Sequence, residues 1–284
     1  MSEEVSNLKV LWLRYGKNRP AVVSLVVLAF LVFVAIMGPL LSPFDPFLIT
    51  PNAFVSPNHE HFMGTDDLGR DVYSRVLLGS RTSLFVGSVA AFTSLIIGLI
   101  AGALSGYFGG AVDRVIMALT DFFLTIPLVV FGLVLVTIFG SSIQNVILVI
   151  GVLTWPGTAR IVRSQFLSLK ERTFVEAARA VGAADVYIIF REIMPNALSP
   201  VVINASYQIA RAILLEAGLS FLGLGDPNMV SWGAMLNEAQ RFFSFSWWTA
   251  VFPGVAILLT TVALNLIGDG FNDAMNPRLK GRRV

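Results

Sequence analysis

Residues 171–195 read ERTFVEAARAVGAADVYIIFREIMP, a polar and basic stretch set between long hydrophobic segments. Phe174, Ala177, Ala178 and Val181 fall at i, i+3, i+4 and i+7 and share one face of a short helix. Glu176 and Arg179 lie off that face, and Gly182 stands where the helix should end. Asp185 is placed to cap a second short helix, which Pro195 is expected to close. A membrane protein that only anchors itself has little need of such a segment. One that must be gripped from the cytoplasm does.

The rest of the chain gives this stretch its setting. Of 284 residues, 55% are hydrophobic and only 13% charged. A soluble domain carries about a quarter charged residues, so the deficit and the long apolar runs indicate an all-α polytopic membrane protein. The formal charge of +2 is too small to suggest a nucleic-acid partner. Cysteine is absent, which excludes disulfides, thiol catalysis and thiolate metal sites. His59 and His61, the only histidines, are read as a solvated loop pair rather than a metal site.

Six runs approach the length of about 20 residues that a helix needs to cross a bilayer. They are 21–41, 83–106, 116–139, 143–159, 199–223 and 248–269. The fourth is short and holds Trp155, Pro156 and Gly157 near one end, which makes that boundary the weakest. The expected organisation is a terminal segment 1–20, a first span 21–41, an outer loop 42–82, a five-span core 83–270 containing the loop 160–198, and a basic tail 271–284.

Charge sets the direction. Lys9, Arg14, Lys17 and Arg19 outweigh Glu3 and Glu4 before the first span, and Arg278, Lys280, Arg282 and Arg283 outweigh Asp273 after the last. Both ends are therefore expected in the cytoplasm, and six spans place the basic loop 160–198 there too. The loops 42–82 and 224–247 carry net negative charge and fall outside. Four prolines between Pro43 and Pro57 predict an irregular start to the outer loop, and the spacing of Leu68, Val72, Val76 and Leu77 predicts helix from Asp66 onward.

Ser94, Gly98, Gly102 and Gly106 repeat at four-residue spacing, a stripe that lets two helices approach closely, either within the chain or between subunits. Pro127, Pro156 and Pro253 are candidate kinks. Asn204, Gln208 and Arg211 share a face of the fifth span, and Glu216 lies beyond them. A charge at membrane depth costs at least about 2.5 kcal/mol, so these side chains face protein or a wet cavity. They line a translocation path or make structural polar contacts between helices or subunits. Asp121, Asn265 and Asp269, near the cytoplasmic ends of their spans, fit a hydrated structural role more easily.

Catalytic motifs are missing. The four lysines, Lys9, Lys17, Lys170 and Lys280, include none in a phosphate-binding loop, so this chain has no P-loop with which to hydrolyse ATP. Neither H-E-x-x-H nor G-x-S-x-G occurs. An enzyme is not expected.

The segment 176–195 resembles the EAA loop in membrane subunits of ATP-binding-cassette importers. Glu176, Ala177, Ala178, Gly182, Ile193 and Pro195 match that pattern, and Met194 replaces the usual leucine. GTDDLGRDVYSR at 64–75, GSRTSL at 79–84, LLEAGLSFLGLG at 214–225 and GDGFNDAMNPR at 268–278 are similar to the dipeptide, oligopeptide and nickel permease branch, in its shorter C-type member. The resemblance spans about residues 20–280.

It implies a type I importer (MetI-like) fold with six transmembrane helices in the bacterial or archaeal plasma membrane. It also implies a second homologous permease, two cytoplasmic ATPases that bind ATP and Mg, and an extracytoplasmic binding protein. This chain itself would hold no cofactor and no metal. By the same resemblance, Phe174, Glu176, Ala177, Ala178, Val181, Gly182, Ile193 and Pro195 belong to the ATPase-coupling segment. An amphipathic helix lying on the membrane surface is the competing reading of that segment. Peptides of two to several residues are the expected cargo, with nickel complexes, glutathione, opines or sugars as alternatives within the branch. A channel or a membrane scaffold is the reading from other classes.

Overall fold

The computed structural model describes residues 12–275. Glu3, Glu4, Lys9, Arg278, Lys280, Arg282 and Arg283, used above for orientation, lie outside the described residues. In chain order the helices are α1 (Arg19–Leu41), α2 (Val72–Phe108), α3 (Gly110–Thr125), α4 (Leu128–Phe139), α5 (Ile143–Leu169), α6 (Thr173–Ala180), α7 (Asp185–Phe221), α8 (Trp232–Ala239) and α9 (Trp248–Met275). Five of them, α1, α2, α5, α7 and α9, are long and apolar enough to cross a membrane. The third expected span is not one straight helix, because α3 and α4 meet at 94°.

Pro127 explains the break. It has no N–H to continue the ladder, and its ring disfavours helix at the preceding residue. Ile126 accordingly sits in extended backbone, at φ −85° and ψ 133°. Proline does not act alike everywhere. Pro156 lies inside α5, which continues through 160–169 because Val162 and Phe166, four apart and fully buried, extend the packed face.

Pro195 does not close a helix, contrary to the expectation. Residues Ile188–Ile193 widen into a π-helical turn in which the Met194 N–H reaches the carbonyl of Ile189, and the chain then runs on through Pro195 to Phe221. The wider turn sets the proline where a missing donor does no harm. Asp185 is likewise not the cap, a position taken by Ala184. The true loop between α5 and α7 therefore shrinks from 160–198 to the stretch around α6.

The glycine stripe seats α2 against α5. A methyl at Gly98 would lie 2.6 Å from Thr158 Cβ, one at Gly102 would lie 2.5 Å from the Ala159 carbonyl oxygen, and one at Gly106 would lie 2.5 Å from Phe166 Cβ. Ser94, fully buried, accepts from the Gln208 amide at 3.3 Å. The stripe is packing within the chain.

The end of the bundle where α2 begins is capped by the loop that precedes it. Asp71 caps α2 through Ser74, at 2.8 Å to its N–H and 2.7 Å to its hydroxyl, so the helix begins at Val72 and not near Asp66. His61 is buried, its Nδ1 2.9 Å from Asp71, which corrects the solvated reading; His59 is exposed as expected. Asp66 pairs with Arg70 and Arg75, and both arginines reach Glu238 on α8 at 2.9 and 2.8 Å. The Trp248 indole donates to the Thr65 carbonyl at 3.0 Å. At the opposite end, Asn18 donates to Asp273 at 3.0 Å, placing the start of α1 beside the end of α9.

Candidate functional site

Helix α6 has one buried side chain as its anchor. Val175 is fully buried among Tyr107, Val162, Phe166, Ile188, Ile193 and Ala197, and Ala178 packs at the edge of that cluster. The helix residues other than these two are exposed. Phe174 is 37% exposed, and Val181 just past the helix is 85% exposed. Glu176, Ala177 and Arg179 are exposed as well. An apolar rim open to solvent on a helix of eight residues is not a core face, and has the build of a surface that a partner could cover.

The helix ends as its glycine requires. Gly182 has φ +79°, its N–H reaches the Arg179 carbonyl at 2.9 Å, and the Ala183 N–H reaches the Ala178 carbonyl at 3.0 Å. These are the two bonds of a Schellman ending, and the positive φ favours glycine. Ile193, matched to the family pattern, is fully buried and supports the segment from within, whereas Pro195 is exposed.

Two contacts tie the segment to the long helices, and a third pair braces those helices beside it. The Tyr107 hydroxyl, at the end of α2, donates to Asp185 at 2.5 Å. The Arg179 guanidinium lies 5.8 Å over the Tyr107 ring, a cation–π distance. Nearby, Arg163 of α5 grips Asp113 of α3 through two bonds of 2.5 and 2.6 Å. The sequence reading missed Val175, Tyr107 and Asp113. Val175 offered a signal: it is the β-branched residue next to the chosen face, on a helix too short to bury two faces.

The polar residues of α7 divide. Gln208 is buried and donates to the Thr154 carbonyl at 3.1 Å and to the Thr158 hydroxyl at 3.0 Å, and Asn204 also donates to Thr158 at 3.1 Å. Glu216 is buried in a different place, accepting from Ser220 at 2.7 Å and Ser83 at 3.2 Å. Ser83 in turn accepts from the Trp232 N–H, so Glu216 knits α2, α7 and α8. Of these four, Gln208 and Arg211 border the cavity of about 600 Å³ between the α3–α4 break, α5 and α7, whereas Glu216 borders a separate small pocket. Asp121 pairs with Arg160, and Asp269 accepts from Tyr207 at 2.6 Å, in the structural role expected of them. Asn265 is exposed.

The model of the binding-protein-dependent transport system inner membrane component matches residues 94–281, two thirds of the chain. The chain belongs to this family. A second model, the N-terminal transmembrane domain of oligopeptide transport permease C, matches residues 6–59. The permease is 39% identical to a dipeptide transport system permease protein of Alkalihalophilus pseudofirmus, over 93% of this chain and 88% of that one. It is 39% identical to a glutathione transport system permease protein of Pectobacterium atrosepticum, over 95% and 90%. It is 43% identical to a putative peptide permease protein of Brucella suis, over 93% and 89%. The inward-facing MetNI methionine ABC transporter shares the fold, with a TM-score of 0.54 at 20% identity over 69% of this chain and 96% of that one. The permease is thus a multi-pass inner-membrane subunit of an ABC importer with the type I fold.

Proposed function

We propose that α6 is the coupling helix through which a cytoplasmic ATPase drives this permease. The single observation behind this reading is the build of α6, which hangs from the long helices by Val175 and turns Phe174, Glu176, Ala177 and Val181 outward. The small Ala177 allows close approach, Phe174 and Val181 supply apolar contact, and Glu176 supplies charge. In this reading two such ATPases carry the ATP and Mg, a second nonidentical permease completes the path, and an extracytoplasmic binding protein, which the family description names, delivers cargo. Both chain ends and α6 lie on the cytoplasmic side, the orientation that the loop charges favour. Nucleotide biases the ATPases, and α6 passes that bias to the helix bundle by differential affinity for its two states.

The chain has no cysteine, so Ala177→Cys creates a unique thiol in it. Thiol cross-linking in native membranes is expected to join it to an ATPase subunit. Glu176→Lys and Gly182→Asp are expected to abolish uptake while the protein still inserts. Nothing lies within 4 Å of a methyl built at Gly182, so Gly182→Asp acts through backbone strain and surface charge, not through a clash in the core. Normal ATP-driven uptake by either variant, together with failure to cross-link, sinks the assignment.

Small peptides are the cargo we infer, because relatives of about 40% identity are named for dipeptides, peptides and glutathione. Competition of labelled dipeptide uptake by unlabelled peptides, nickel chelates and oligosaccharides tests it. Co-purification tests the assembly: a functional complex of this chain alone would point to a channel instead.

A further inference from the structure

Arg211 lies within the membrane-crossing part of α7, about 15 Å of helix before its end at Phe221. It is exposed, and among the described residues it has no ion-pair partner, whereas Arg160 and Arg163 of α5 are matched with Asp121 and Asp113. It is also the only charged residue lining the 600 Å³ cavity, whose other walls come from Phe123, Leu128, Leu153 and Leu214 among others. A guanidinium at membrane depth must meet water or an anion, and apolar walls strengthen its attraction for that anion.

We propose that this cavity is a carboxylate site on the translocation path, in which Arg211 holds the carboxylate of the passing solute. The occupant follows from charge complementarity: one cation, no acid, and a volume suited to a small solute. A cationic group finds no partner there, so a zwitterion is held by its acid end only. The hold is necessarily weak, since a path must release what it binds. The class of solute rests on the peptide reading above; the anion preference of the cavity does not.

Two measurements on the assembled transporter separate these. In the first, Leu214→Cys, one turn from Arg211 on the cavity wall, is modified in membranes by an anionic and a cationic methanethiosulfonate of similar size. The ratio of anionic to cationic rate is expected to fall about tenfold when Arg211→Gln is added. An unchanged ratio overturns the proposal. So does protection of the thiol from both reagents together with loss of the second permease on purification of Arg211→Gln, because Arg211 would then be an intersubunit contact.

In the second, uptake of alanylalanine is compared with uptake of its C-terminal amide, each normalised to binding-protein affinity. Arg211→Gln is expected to lower transport of the acid at least about tenfold and to leave the amide unaffected. Arg211→Lys is expected to restore most of the acid's transport. Equal loss for both compounds overturns the proposal. If the rate ratio falls as expected but the wild-type complex moves neither compound, the carboxylate site stands and the peptide reading fails.

Discussion

At single residues, the sequence declared packing more readily than placement. Small residues at four-residue spacing have one physical use, close approach, and Gly98, Gly102 and Gly106 serve it. A side chain at Gly102 has nowhere to go, since the Ala159 carbonyl, the Val162 side chain and the Arg163 backbone surround the position. We predict that Gly102→Leu destabilises the permease by several kcal/mol, by overpacking. Gly157 has open space around it, so Gly157→Ala should be neutral or slightly stabilising. Thermal melting of the two variants in detergent tests this; equal midpoints would falsify the packing argument. His61 was illegible for the complementary reason. Its partner Asp71 is ten residues away across an irregular loop, and no periodicity marks such a contact.

At the level of elements, length and hydropathy located the spans, whereas their ends and bends depended on neighbours. The same residue type, proline, breaks the third span at Pro127, is absorbed inside α5 at Pro156 and follows a π turn at Pro195. Nothing in the local sequence separates the three outcomes; the packing of Val162 and Phe166, or its absence, does. If Pro127 itself causes the bend, Pro127→Ala should straighten it. Spin labels at Val115→Cys and Ile138→Cys, both exposed, would sit about 22 Å apart across a right-angled break and about 35 Å apart on a continuous helix. Pulsed electron paramagnetic resonance should show the longer distance in the variant. A distance that stays short would assign the bend to the tertiary fold. The anchoring of α6 belongs to this scale as well. Val175→Ala removes its only fully buried side chain, at about 1–3 kcal/mol, and should reduce uptake several-fold without loss of membrane insertion, measured by transport and by chain abundance.

Across the whole molecule, α2 is the member that joins the two ends. Its 37 residues make a rod of about 54 Å. Near its start Arg75 is clamped by Asp66 and Glu238, and at its far end, the inner one in the proposed orientation, Tyr107 holds Asp185 behind α6. Neither clamp was legible in the sequence, because each unites residues far apart in the chain. A rod fixed at both ends is the element through which displacement would pass between the cap and α6, if α6 couples as proposed. The inner joint is the weaker, a single hydrogen bond to an exposed carboxylate, and water competes for that acceptor, so its net contribution is about 1 kcal/mol. A bias of that size changes an allosteric response about fivefold. Tyr107→Phe keeps the ring, and with it the Arg179 contact, while removing the bond. We therefore predict that it leaves basal ATP hydrolysis of the assembled importer unchanged and cuts stimulation by loaded binding protein about fivefold. Asp185→Asn, which still accepts from Tyr107, should show a smaller loss. Equal stimulation in Tyr107→Phe and wild type would mean that the signal bypasses α2, leaving the α5 route through the Asp113–Arg163 pair as the one to cut next.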